Sequence, residues 1–149
     1  MTQLSKNFSL TELTKTSVTW ANNTPNADQI KSLQALVDNV LQPLRDKLGM
    51  PITINSGFRS KAVNVAIRGA LTSQHSLGEA ADIEVMGMSN RDLAEFIIKN
   101  FKFDQLILEE HVDGDPRSGW VHVSYRTGRL RNEVLTKPKG KNVYLRGLV

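Results

Sequence analysis

From Ile30 to Leu48 the apolar residues recur at steps of three and four: Ile30, Leu33, Leu36, Val37, Val40, Leu41, Leu44 and Leu48. That spacing lines one face of a helix with 3.6 residues per turn, and it predicts a long helix. Thr24 followed by Pro25 marks its start, with Pro at the first helical position. Gly49 ends it and Pro51 follows just beyond, while Pro43 is expected to kink it. Residues 1–24 are polar with scattered hydrophobes: Phe8, Leu10, Leu13, Val18 and Trp20. Ser9 to Glu12 has the form of a capping box and predicts a short helix lying over the core.

After Pro51 the period falls to two. Ile52 and Ile54 share one face of a strand over 51–56, and Gly57-Phe-Arg59 makes a turn. Ser60 caps a helix over 61–68, which Gly69 stops. Residues 73–80 start as a loop and run into a strand, where Ala81, Ile83 and Val85 alternate with Asp82 and Glu84. Ser89 to Asp92 is a further capping box, opening a helix with Leu93, Phe96 and Ile97 inward. Residues 104–109 predict a strand, 111–119 have turn composition, and 120–125 predict another strand. There Trp120, His122 and Ser124 share one face, while Val121, Val123 and Tyr125 share the other. Helices come early and strands later. The expected fold is α+β: one domain over residues 1–149, with a mainly antiparallel central sheet and helices packed on one side.

Composition narrows this picture. With 149 residues, 40% hydrophobic and 23% charged, the chain can bury one sizeable core, which excludes disorder. It has no cysteine, which excludes a disulfide framework and a thiolate metal site. No apolar run reaches the length of a transmembrane span, and the first residues lack the apolar segment of a signal peptide. Synthesis in the cytoplasm is therefore expected.

The net charge of +4 is uneven. Residues 126–149 hold Arg126, Arg129, Arg131, Lys137, Lys139, Lys141 and Arg146 against Glu133 alone. A basic C-terminal extension of this kind suits an anionic polymer, or simply a solvated end. Nucleic acid is not expected as a partner, because no helix-turn-helix or aromatic stacking motif accompanies the charge.

The candidate chemistry lies in the histidines. His75 and Asp82 are separated by six mostly small or polar residues, and His122 falls in a strand. If the strands at 81–85 and 120–125 are antiparallel neighbours, Asp82 and His122 project from the same polar face, with Cβ atoms about 4.5–5.5 Å apart. His75 then arrives from the loop, with Gly78 and Ala80 letting that loop pass close to a metal. Two imidazoles and a carboxylate make a three-ligand set for a catalytic zinc with its fourth position open. The third histidine, His111, borders the turn-rich segment and is expected to be exposed. Asp113-Gly-Asp115 lacks the remaining ligands of a calcium loop and is a turn.

Ser73, His75, Gly78, Ala80 and Asp82 fit a Ser-x-His-x-x-Gly-x-Ala-x-Asp signature. With Ser56-Gly-Phe-Arg-Ser60 upstream and Trp120-Val-His122 downstream, this stretch resembles the D-alanyl-D-alanine carboxypeptidase-type zinc metallopeptidases. That family includes phage L-alanyl-D-glutamate endolysins and shares its zinc core with lysostaphin-like enzymes and Hedgehog domains. The resemblance covers about residues 30–125, within a motif-bearing core of about 26–125, and leaves 126–149 as an extension.

The resemblance implies one zinc ion per chain, held by His75, Asp82 and His122. It implies that Arg59 binds a substrate carboxylate or the polarised carbonyl oxygen, and that Ser73, Gln74 and Trp120 contact substrate. Many members carry a catalytic glutamate three residues before the last histidine, but Gly119 occupies that position here. Glu109 is the expected general base, on the strand face of Gln105 and Ile107, with Glu110 the alternative on the opposite face. The implied substrate is a peptidoglycan stem peptide, with the basic extension on anionic wall polymer. The chain is then a monomeric lytic enzyme of phage or prophage type, made without a signal peptide and reaching the wall through a holin or in a virion. The alternative is a non-catalytic wall-binding or virion module that keeps the fold.

Overall fold

The computed structural model describes residues 2–149. A short helix α1 (Leu10–Thr14) is capped by Ser9, whose side chain accepts from the Glu12 N–H. The long helix begins two residues later than the Thr24-Pro25 pair suggests. Asn26 is the cap, in a reciprocal capping box with Gln29, and α2 runs over Ala27–Leu36. The backbone then widens into a π-helical segment, Val37–Leu41, and continues as α3 (Gln42–Leu48) to a left-handed Gly49. Proline lacks an N–H and its ring crowds the carbonyl four residues back. The π segment lies just ahead of Pro43, and Gln42 N–H reaches the Val37 carbonyl across its wider turn.

The strands are β1 (Thr53–Ser56), β2 (Ala80–Glu84), β3 (Gln105–His111), β4 (Trp120–Ser124), β5 (Glu133–Pro138) and β6 (Leu145–Arg146). They form one sheet in the order β1-β2-β4-β3-β5-β6. Every neighbouring pair is antiparallel except β3 and β5. Helix α4 (Lys61–Ala66) and a 3₁₀ turn (Gln74–Leu77) precede β2, and α5 (Asn90–Asn100) follows it.

Ile54, Ala81, Ile83, Leu106, Leu108, Val121 and Val123 form the core face of the sheet. Leu33, Leu36, Leu41 and Leu44 from the long helix and Leu93 and Ile97 from α5 pack on them, all fully buried. Each such side chain contributes roughly 1.5–3 kcal/mol of transfer free energy. The residues between these apolar positions, among them Asp82, Ile107, Glu109 and His122, necessarily face the other side. The fold is α+β, as the hydrophobic pattern predicts.

Two expectations are corrected. Residues 126–149 are not a solvated extension: β5 pairs with β3 over Gln105–His111, and β6 closes the edge. Glu133-Val-Leu-Thr-Lys-Pro138 does not alternate apolar with polar residues, and only Thr136 in it is fully buried, so the strand is defined by its pairing with β3. His111 is also buried rather than exposed, because β3 runs two residues beyond the predicted end. Among the described residues no helix is long and apolar enough to cross a membrane.

Candidate active site

Asp82 lies directly opposite His122 in the β2–β4 ladder. His75 comes from the 3₁₀ turn, where the Ser73 side chain accepts from the His75 N–H. His75 Nε2 is 3.2 Å from Asp82 Oδ1, His122 Nδ1 is 3.3 Å from the same oxygen, and the two nitrogens are 3.3 Å apart. The three atoms form a nearly equilateral triangle, and all three residues are buried.

The set fits a metal ion. A tetrahedral centre with bonds of about 2.0–2.1 Å has ligand–ligand edges of about 3.3–3.4 Å. The donor chemistry fits as well. His75 Nδ1 lies 2.8 Å from the Gly57 carbonyl. A carbonyl only accepts, so Nδ1 carries the proton and Nε2 turns its lone pair to the centre. The second carboxylate oxygen of Asp82 accepts from Arg59 at 3.0 Å, which leaves Oδ1 free. Burial alone raises the Asp82 carboxyl, but the charges and hydrogen bonds of His75 and His122 overturn this and hold it well below the carboxylate range. It stays ionised as a ligand must.

Gly57 has a second constraint, since a Cβ there lies 2.3 Å from the Leu13 carbonyl. The Phe58 N–H donates to that same carbonyl. Phe58 anchors in the core, Arg59 also donates through Nε to Ser56, and Ser60 caps α4. The Ser56–Ser60 element thus fixes two metal donors: Gly57 sets the tautomer of His75, and Arg59 sets the orientation of Asp82. Gly78 does not bring the loop to the metal. It is the left-handed cap of the 3₁₀ turn, and a Cβ there meets the Gln29 carbonyl at 2.5 Å.

The centre opens on a cleft of about 810 Å³ lined in part by Arg59, Ser73, Gln74, Ile107 and Glu109. Strand parity places Glu109 with Gln105 and Ile107 in this cleft, as the sequence predicts. Burial raises the Glu109 carboxyl above its ordinary value; His122 and Lys137 oppose the shift, and the charges of Asp82 and Glu110 add to it. Glu110 has a left-handed backbone at φ 51° and is tied to Lys137 and to the Gly140 N–H. Its hydrogen bond with Lys137 lowers its pKa.

Gly119, three residues before His122, has φ 66°, and a Cβ there sits 1.7 Å from the Glu109 carbonyl oxygen. No side chain fits. Trp120 pairs with Glu109 in the ladder but does not line the cleft.

Asp104 and the wall beyond it were not legible as site residues. Asp104 is wholly buried and accepts from Gln74, Arg129 and Arg131. This clasp ties the residue before His75 to the C-terminal segment, which adds Leu135, Lys137, Asn142 and Tyr144 to the cleft. An aspartate at a strand start that begins the Asp-Gln-Leu-Ile run was the one available signal.

Comparison with known proteins agrees with the geometry. Over 78 residues the chain is 35% identical to the zinc D-Ala-D-Ala carboxypeptidase of Streptomyces albus G. That match takes in 52% of this chain and 31% of the relative, so the chain spans about a third of the length of the curated protein it matches. The family described as peptidase M15 matches residues 6–124, which include all three metal donors, Arg59 and Glu109. The chain belongs to the peptidase M15 family.

Proposed function

We propose that this protein is a zinc peptidase that hydrolyses a peptide bond in peptidoglycan stem peptides, and that it serves phage or prophage lysis. The observation that carries the peptidase reading is the buried triangle of His75 Nε2, Asp82 Oδ1 and His122 Nδ1, with Glu109 and Arg59 beside it in one cleft. The name of the Streptomyces relative supports zinc as the ion and a wall peptide as the substrate. Zinc bound there supplies a Lewis acid that lowers the pKa of water and polarises a carbonyl.

The chain's own residues do the rest. Glu109, made more basic by its burial, takes the proton of the attacking water and delivers it to the leaving amine. Arg59 turns one edge to Asp82 and Ser56 and also lines the cleft, where it faces the oxyanion or a substrate carboxylate. Ser73 and Gln74 hold the His75 turn and line the same cleft, so any contact they make with substrate is secondary to that support. A cytoplasmically made, monomeric lytic enzyme reaches the wall when the membrane is opened.

Elemental analysis of chelator-free protein should give one zinc per chain. Purified walls should release new amino termini, identified by mass spectrometry of the muropeptides, and a chelator should abolish the release. Metal-free protein that still cuts walls refutes the proposal. Zinc-loaded protein that binds walls and leaves every muropeptide intact makes it a non-catalytic wall-binding module.

A further inference from the structure

The cleft has two walls of different origin. The metal donors, Arg59, Glu109 and the 68–74 loop lie within the residues matched by the family. The facing wall, from Arg129 to Tyr144, lies beyond them. Five basic residues line the cleft against one acid, Glu109, and they are not equally engaged. Arg59 is paired with Asp82, and Lys137 with Glu110. Arg131 turns Nε and Nη2 to Asp104 and Nη1 towards Glu133 at 3.8 Å. All three have an acidic partner within the protein, and the remaining Nη1 of Arg59 is the donor already assigned to the reacting end of the cleft.

Arg129 differs. It gives only Nη2 to Asp104, its side chain is 46% exposed, and Nε and Nη1 have no partner among the described residues. Arg68 makes no ion pair or side-chain hydrogen bond among the described residues and is exposed. It also sits in the left-handed region at φ 59°, just past α4, a position that favours glycine. An arginine held there with its side chain on the cleft is hard to explain by local folding.

We infer that Arg68 and Arg129 form a carboxylate-binding subsite, taking a free carboxylate of the substrate peptide away from the scissile bond. Each guanidinium keeps unpaired N–H donors that a carboxylate can accept from. The Asp104 clasp sets the distance of this subsite from the metal, because Gln74, one residue before His75, donates to the same carboxylate that holds Arg129. The inference rests on the peptidase reading for the ligand being a peptide, and it assigns that reading an acidic substrate class.

The test uses one stem peptide in two forms: free acid, and with its side-chain carboxylates amidated. Zinc-loaded protein and the variants Arg68→Gly, Arg129→Gln and Arg126→Gln are compared by calorimetric Kd and by kcat/KM. The parent should favour the free acid by about tenfold or more, the scale of a charge-assisted pair. Arg68→Gly and Arg129→Gln should each bring the ratio towards one. Arg68→Gly should do so without lowering Tm, since glycine suits its backbone. Arg126→Gln, which removes a basic charge of the same segment outside the cleft lining, should keep the parent's ratio. A parent indifferent to amidation, or a ratio unmoved in both cleft variants, overturns the subsite, as does a ratio lost equally in Arg126→Gln. If neither peptide is cut but the Kd ratio behaves as described, the subsite stands and the peptidase reading fails. If both are cut equally with equal Kd, the reverse holds.

Discussion

Replacing Asp104 by Asn removes one charge from the clasp and keeps its shape. The carboxylate is fully buried and accepts from Gln74 Nε2 at 2.8 Å, Arg129 Nη2 at 3.0 Å, and Arg131 Nε and Nη2 at 2.8 and 3.0 Å. Breaking a buried ion pair costs about 3–5 kcal/mol. Both guanidiniums are about half exposed and can turn to water, which favours the lower end, about 3 kcal/mol. For a chain of this size that lowers Tm by roughly 6–12 °C. The pH dependence isolates the charge. Burial raises the Asp104 carboxyl, but hydrogen bonds from Arg131, Gln74 and Arg129 overturn this and hold it far below its ordinary value of 3.8. A depressed native pKa gives stability that is fully present above the unfolded-chain value and is lost as pH falls through the native one. In urea titrations the gap between parent and Asp104→Asn should therefore be flat from pH 5 to 8 and shrink only below about pH 4. A gap under about 1 kcal/mol at pH 7, or one that persists undiminished at pH 2–3, refutes a charge clasp; the second outcome leaves hydrogen-bond geometry as the cause.

Glu109→Gln should lower kcat by about 10²–10⁴-fold with zinc content unchanged, while Glu110→Gln, which loses only Lys137 and the Gly140 N–H, should remain near the parent. Exchanged outcomes mean that Glu110 is the base, and loss of zinc in Glu109→Gln makes it a ligand. Gly119→Ala should destabilise by about 3 kcal/mol or more in thermal unfolding, because its Cβ overlaps the Glu109 carbonyl and its φ is positive; an unchanged Tm refutes the close approach. Arg59→Gln should lower zinc affinity as well as activity, since it frees the outer oxygen of Asp82; full occupancy at limiting zinc in a competition titration argues for a role on substrate alone.

The placement of Asp82 opposite His122 was legible in the sequence because strand alternation is strict, whereas His75, in a turn, was marked only by its place in the signature stretch. Once 81–85 and 120–125 are strands, Asp82 and His122 must leave the core face, and an antiparallel ladder brings them opposite. Glu109 followed from the same parity in β3. The start of the long helix was missed because Asn26 and Gln29 form a stronger reciprocal cap than Thr24 ahead of Pro25. The buried state of His111 was missed because a left-handed Glu110 lets β3 continue where turn composition suggested its end. The C-terminal wall was hidden for a different reason. Its seven basic residues dominate the composition, but β5 is added by a parallel pairing with β3, a long-range contact that no local pattern reports.

The glycine at 119 and the direction of the Glu109 side chain have one cause. Beyond Leu108, the β3–β5 register shifts, and Glu110 adopts φ 51°. Opposite it, Gly119 comes so close that its missing Cβ would overlap the Glu109 carbonyl. A glutamate at 119 is sterically forbidden while this contact exists. The same contact, one residue before the Glu109–Trp120 pair, pins the backbone of Glu109 against β4 beside His122. A side chain that alternates from that fixed backbone has one direction to take, into the cleft. In the proposed mechanism the base therefore comes from the strand beside His122 rather than from the strand of His122 itself, and the glycine that leaves no room for a side chain at 119 also holds the Glu109 backbone in place.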